Sequence, residues 1–278
     1  MIYFARLDAV NTPSPPCLIT SGLQVIGAYS QAAGGFFHGY IDQLTILFNR
    51  AKTAAEILAD ATLVVYYSMN CLSYWSIDSG PNQINGLAVG LSSGVGGRVG
   101  QSYLFNSTAA YFQVTSLLLL GYSYSPFSFS MWLRPIISVT SNGTILHVSG
   151  ANDGTGWCLQ LIGFNSLGQI TANGYDGSTM LQVAGPVLTV GFWVHIAYTY
   201  SQTNGLRLYV NGALYGRTSV FVYAKPSAPL TVTLGQPLNG SYCARGNIQS
   251  GYYRGQIDEF GVYSRELSQS DVTALANP

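Results

Sequence analysis

A chain of 278 residues has room for one large all-β domain with extra material, or for two ordinary domains. Its 11 basic and 11 acidic residues cancel, and charged residues are only 8% of the chain, against about 25% in typical soluble domains. That balance excludes a basic field for nucleic acid or anionic lipid, while 48% hydrophobic residues, with 20 Tyr and 12 Phe, exclude a disordered chain.

The chain opens on "MIYFARLDAV", where Arg6 and Asp8 interrupt the apolar run that a signal peptide needs. Phe36–Leu58, "FFHGYIDQLTILFNRAKTAAEIL", follows a plan that returns at Tyr252–Leu275, "YYRGQIDEFGVYSRELSQSDVTAL". Both read Gly-x-Ile-Asp, an alternating apolar run, an Arg and a short helical stretch. The helical stretches each open on a capping box, Thr53 with Glu56 and Ser268 with Asp271. Between them lie strand candidates: "LVVYYSM", "VGQSYLF", "AAYFQV", "FSFSMWLRP", "TILHVS", "WCLQLIGF", "FWVHIAYTY", "LTVTLG" and "GQIDEFGVY". Alternation sets Phe127, Phe129, Met131 and Leu133 on one face, with Ser128, Ser130, Trp132 and Arg134 on the other. In the same way Phe192, Val194, Ile196, Tyr198 and Tyr200 share a face. "LRLYVNGALYG" is two strand halves around Asn211-Gly212, the signature of a type I′ hairpin. Turn residues recur at short intervals, which is the rhythm of a β-sandwich. The longest apolar run, Ser116–Tyr122, is far below the roughly 20 residues needed to span a bilayer.

The order of these segments carries a resemblance. "IDSGPNQINGLAV", "GGRVGQSYLFN", the Phe-x-hydroxyl-x-Trp strand, the Trp-x-His strand with its Tyr-Val-Asn-Gly hairpin, and the closing strand and helix occur in sequence. Residues 63–278 resemble a laminin-G-like, concanavalin-A-like jelly roll of the pentraxin-related type. The resemblance implies an all-β antiparallel sandwich with short terminal helices. Residues 1–62 resemble only the closing third of such a domain, with "LQVIGAY" corresponding to "LTVTLGQ". The two closing motifs align with one extra residue between Asp42 and Arg50, as a β-bulge permits. Three origins remain open for residues 1–62: a longer tandem array, a truncated gene model, or a segment that completes a neighbouring molecule's sandwich.

The resemblance also implies calcium near the opening turn and the closing Ile-Asp, at Asp78 and Asp258, with Asp42 as counterpart in the partial copy. The alternative for Asp258 is hydrogen bonding to backbone groups at a strand end. Cys17, Cys71, Cys158 and Cys243 show no CxxC pair or metal spacing. The favoured pairing is Cys158–Cys243 within the main domain and Cys17–Cys71 tying the N-terminal segment to it, with buried free thiols as the alternative. Sequons at Asn106, Asn142 and Asn239, with low charge, point to a secreted glycoprotein.

Catalysis finds little footing. Retaining glycosidases need two carboxylates facing one sugar, yet none of Glu56, Glu259 and Glu266 stands in a Glu-x-Asp-x-Glu pattern, and Asp258 and Glu259 are adjacent. His195 lies opposite the apolar face and reads as structural. There is no Gly-x-Ser-x-Gly elbow. "SGVGGRVG" (Ser93–Gly100) is a turn before a strand, not a phosphate cradle. "ANDGTGW" (Ala151–Trp157) and "ANGYDGS" (Ala172–Ser178) have the aromatic and amide character of glycan loops, though ordinary β-turns have it too, and Trp157 is core or platform. The expected function is therefore a non-catalytic extracellular recognition or adhesion module for glycans or glycoproteins. The alternatives are a fibre subunit polymerising head-to-tail through residues 1–62, and a glycan-active enzyme with a dispersed site.

Overall fold

The computed structural model describes residue 39 and residues 51–70, 77–94, 96–141 and 143–278. The chain divides into two units, Met1–Ala61 and Thr62–Pro278, each taken by itself. Cys17, Asp42, Cys71 and Asn142 lie outside the described residues. Helix α1 (Ala54–Thr62) opens on the expected capping box. Thr53 Oγ1 accepts from the Glu56 amide at 3.2 Å, and the Glu56 carboxylate accepts from the Thr53 amide at 2.8 Å.

The second unit is built of strands, with short 3₁₀ turns between them, until its last helix. In chain order come β1 (Leu63–Tyr67), β2 (Leu87–Val89), β3 (Ser92–Gly94), β4 (Ser102–Phe105), β5 (Tyr111–Leu117), β6 (Phe127–Pro135), β7 (Thr144–Ser149) and β8 (Cys158–Phe164). Then follow β9 (Gln169–Tyr175), β10 (Met180–Val187), β11 (Val194–Ser201), β12 (Gly205–Val210), β13 (Ala213–Arg217), β14 (Leu230–Leu234) and β15 (Gly255–Tyr263), and the helix α2 (Gln269–Leu275). One sheet has the order β13-β12-β11-β6-β15-β4-β3, with β1 also on β15, and the other β10-β9-β8-β7-β14-β5-β2. All the ladders are antiparallel, giving a sandwich of the jelly-roll kind.

The alternating residues of β6 and β11 do what their period of two dictates. Phe127, Phe129, Met131, Leu133, Ile196, Tyr198 and Tyr200 enter the core between the sheets. There Phe127 stacks on Tyr198, with centroids 5.7 Å apart, and meets Tyr200 and Tyr223 edge-on or tilted. The opposite face of the β6 sheet is covered in part by α2, where Leu267 and Val272 pack on Ala197, Tyr209 and Tyr263. The Ser268–Asp271 capping box is formed in full.

Several expectations need correcting. Phe192 was expected on the core face of β11, but pairing stops at Val194 with Leu133, and Phe192 is 66% exposed on the preceding loop. Gly191 turns the chain there with a φ of +83°, and its carbonyl and amide are held by Arg134 and Pro135. Ala172–Tyr175 is strand, part of β9, so only Asp176–Ser178 of the second candidate glycan loop is a turn. The extra residue between Asp42 and Arg50, for which a bulge was expected, lies outside the described residues, while β15 itself shifts register between Asp258 and Gly261, where Glu259 takes a φ of +53°.

Candidate binding site

The long connection from β14 to β15 is the element that builds a site. It leaves Leu234, reaches the opposite end of β8, turns, and comes back to Gly255. At its tip the Asn239 amide donates to the Asp153 carbonyl at 3.0 Å, and a single 3₁₀ turn spans Gly240–Tyr242. The next residue, Cys243, is bonded to Cys158 at the start of β8, the pairing favoured from the sequence. The returning limb stays close to β8: Gln160 N donates to Ala244 O at 2.9 Å and Gln249 N to Phe164 O at 2.8 Å. The connection is thus a disulfide-pinned strap.

Below the strap runs a row of polar side chains, each facing away from the core. Gln113, Thr233, His147 and Gln160 stand directly opposite one another across β5, β14, β7 and β8. All four are buried, and each finds a partner. Gln113 Nε2 donates to Thr233 Oγ1 and to Asn152 O, Gln160 Oε1 accepts from Thr144, and His147 Nε2 contacts Gly154 O at 2.9 Å. Asn173, from the reassigned second loop, is buried as well and donates to Arg245 O of the strap. Burial lowers the His147 pKa, so this imidazole is neutral at physiological pH.

The first candidate loop, Ala151–Trp157, meets the strap tip. Asp153 Oδ1 accepts from the Thr155 hydroxyl at 2.6 Å and the Thr155 amide at 3.0 Å. Those two bonds, with a further one from the Asn239 side chain, hold this exposed carboxyl below the usual range. Gly154 is needed here: a Cβ would stand 2.2 Å from Pro237 O, and its φ is +89°. Trp157 packs against the core instead of facing solvent. It lines a cavity of about 10 Å³ with Leu120, Phe127, Tyr223, Lys225 and Leu230, which has room for about one water and none for a sugar ring. At the strap tip the aromatic that faces solvent is Tyr242, 98% exposed. It escaped the sequence reading because it lies in neither Asn/Gly-rich loop. Its adjacency to Cys243 was the available signal.

The carboxylates are dispersed. Asp78 Oδ1 accepts from the Tyr66 and Gly80 amides at 2.9 and 2.8 Å, and Oδ2 from Ile84 at 3.0 Å. Asp258 is fully buried, with Oδ2 accepting from the Arg98 and Val99 amides and Oδ1 from Glu259 N. Burial pushes Asp258 up to about 7 against the pull of these amides. Both carboxylates thus fasten turns, the alternative foreseen for Asp258. Calcium needs six to eight oxygen ligands, and among the described residues no three acidic, His or Cys side chains gather. This donor set does not fit the ion. Glu259 accepts from the Tyr66 hydroxyl, Glu266 pairs with Arg207 and Asn204, and Glu56 caps α1. His195 is buried against Ser130 and Trp132, and burial lowers it to about 4. Of the sequons, Asn106 and Asn239 are both exposed.

Two sheets face to face, a strap fixed by a disulfide and an exposed loop tip define a lectin-like β-sandwich. The family model described as the concanavalin A-like lectin/glucanases superfamily matches residues 106–273, more than half of the chain, and the chain belongs to this superfamily. No curated protein matches it. Among solved structures it is similar to Domain 4 of AbnA, a GH43 extracellular arabinanase from Geobacillus stearothermophilus, solved in complex with arabinotriose. Identity is 20% and the TM-score 0.52, over 77% of this chain and 98% of that one. It is similar too to the binding domain of Paraclostridial Mosquitocidal Protein 1, at 20% identity and a TM-score of 0.58 over 78% of this chain. A third is the binding domain of Botulinum neurotoxin DC, in complex with rat synaptotagmin II, at 15% identity and a TM-score of 0.55 over 78% of this chain. The chain spans about half of either toxin domain, 52% of each. At these identities the likeness is one of fold. No helix among the described residues is long and apolar enough to cross a membrane.

Proposed function

We propose that this chain is a non-catalytic extracellular recognition module that binds a neutral glycan at the strap tip. Tyr242 would supply the stacking face, and Asn152, Asp153 and Thr155 the polar contacts. The observation that carries the reading is the full exposure of Tyr242 on a segment immobilised by Cys158–Cys243. A rigid exposed aromatic offers contact area at little entropic cost. A disulfide also favours an oxidising, extracellular setting. The arabinotriose complex of the similar arabinanase domain adds a precedent for glycan binding on this fold. The test is a panel of neutral oligosaccharides followed by calorimetric titration of the best ligand. Tyr242→Ala is expected to abolish binding and leave the melting temperature unchanged, since the ring buries almost nothing. Unchanged affinity in that variant refutes the site.

A second reading rests on the repeated motif. The Gly-x-Ile-Asp segment of the main domain is β15, an interior strand of its sheet that pairs with β6 on one side and β4 and β1 on the other. A second copy of such a segment, the closing part of a pentraxin-related partial domain at residues 1–62, is suited to completing a neighbour's sheet. On this reading the chain polymerises head-to-tail into an extracellular fibre. Electron microscopy of the full chain and of residues 63–278 separates the two, because filaments are expected only from the former.

A further inference from the structure

The turn that the sequence offered as a spent Gly-rich loop holds an unused cation. Gly97 N bonds to Gly100 O, closing the turn, and the Arg98 and Val99 amides point inward onto the buried Asp258 carboxylate. Gly97 is required for that closeness, since a Cβ would lie 2.0 Å from Gln101 O and 2.8 Å from Asp258 Oδ2. With its backbone fixed from below, the turn projects the Arg98 side chain over the indole of Trp132, 4.5 Å from the ring centroid. Trp132 stands between Asp258 and His195 on neighbouring strands, so it too is fixed.

The guanidinium itself is exposed and makes no ion pair or hydrogen bond among the described residues. Elsewhere the arginines near this face are committed: Arg134 gives Nε to Gly191 O and Nη1 to Gln256 Oε1. Below Arg98, Trp132 Nε1 and His195 Nδ1 are buried polar atoms with no partner. An exposed guanidinium held over an aromatic face can grip an oxyanion with two parallel bonds. One unpaired guanidinium, with no second free cation beside it among the described residues, matches a single negative charge, not a phosphate dianion.

We propose that Arg98, oriented by Trp132 and by the Asp258-fastened turn, forms a second subsite that takes a singly charged oxyanion on a sugar, either a uronate carboxylate or a sulfate ester. This rests on the reading that the chain binds glycans, but uses the other sheet and other residues. Titration of the full chain with trigalacturonate, with its neutral methyl ester, and with a monosulfated trisaccharide tests it. At least one charged probe is expected to bind, and the methyl ester is expected to bind at least about ten-fold more weakly than the acid if the uronate is the ligand. Arg98→Gln should weaken the charged probe about ten-fold or more, and Arg98→Lys should weaken it less, because charge survives while the fork is lost. The Arg98→Gln effect should persist in a Tyr242→Ala background, in which the strap tip makes no contribution. Binding of neither charged probe, equal binding of acid and ester with no binding of the sulfated sugar, or indifference to Arg98→Gln overturns the proposal. Loss of neutral-glycan binding in Tyr242→Ala tests the strap-tip reading separately.

Discussion

Lys225 offers the sharpest test of how this core balances charge against aromatic packing. Its ammonium nitrogen is buried without a hydrogen-bond partner, 4.0 Å from the Phe127 ring centroid and within 6 Å of the Tyr200 and Tyr223 centroids. Burial pushes its pKa down from 10.5 to about 7. A displacement of that size corresponds to roughly 5 kcal/mol of cost to a charged lysine in the fold. The three rings return about 1–2 kcal/mol through cation–π attraction, leaving a net cost near 3 kcal/mol at pH 7. The unfolded chain takes up its proton as pH falls below 10.5, while the folded chain does so only at lower pH. Stability must therefore fall as pH drops across that window, by roughly 2–3 kcal/mol between pH 9.5 and 7. Denaturant unfolding of wild type and Lys225→Met over this range reads the effect directly. The upper bound keeps clear of the buried tyrosines, Tyr223 and Tyr253 among them, whose ionisation destabilises the fold at higher pH. Lys225→Met is expected to be the more stable protein at pH 7, with the gap closing toward pH 9.5. Parallel curves would refute the reasoning, and would mean that the cage holds lysine charged throughout.

Two further outcomes follow from the strap. The disulfide joins residues 85 apart, so replacing Cys158 and Cys243 by serine should cost about 4 kcal/mol in chain entropy, read as a lower denaturant midpoint, with hydrogen exchange rising first in residues 236–250. Expression in a eukaryotic secretory host should place a glycan on Asn106, whose Oδ1 takes the Arg254 guanidinium while its amide nitrogen makes no bond. Asn239 spends its side chain on Asp153, so mass spectrometry should find the Asn106→Gln variant lighter by a glycan and Asn239→Gln unchanged.

Much of the fold was legible because a period of two is a strong constraint where one face must be buried. β6, β7, β8, β14 and β15 all stand where alternation placed them, and Asn211-Gly212 makes its turn with φ of +49° and +82°. β9 and β10 were hidden because "ITANGY" carries turn residues inside a strand. Asn173 is tolerated there because its side chain donates to Gln160 O and to Arg245 O of the strap, far away in sequence, and accepts from Gln182. The same cause hid the candidate sites. Tyr242, the proposed platform, is held by the disulfide at its neighbour Cys243, and the turn that carries Arg98 is fixed by a residue 160 positions later. Nothing local marks either residue. The buried Asp258 shows how the two levels meet: a buried carboxyl is costly in the fold, and its bonds from the Arg98 and Val99 amides arrest the turn that carries Arg98. A chain selected only for stability would favour a neutral acceptor at that position. Two carboxyl oxygens accept three amide hydrogens there, Oδ2 from Arg98 and Val99 and Oδ1 from Glu259, where a single amide oxygen would take fewer.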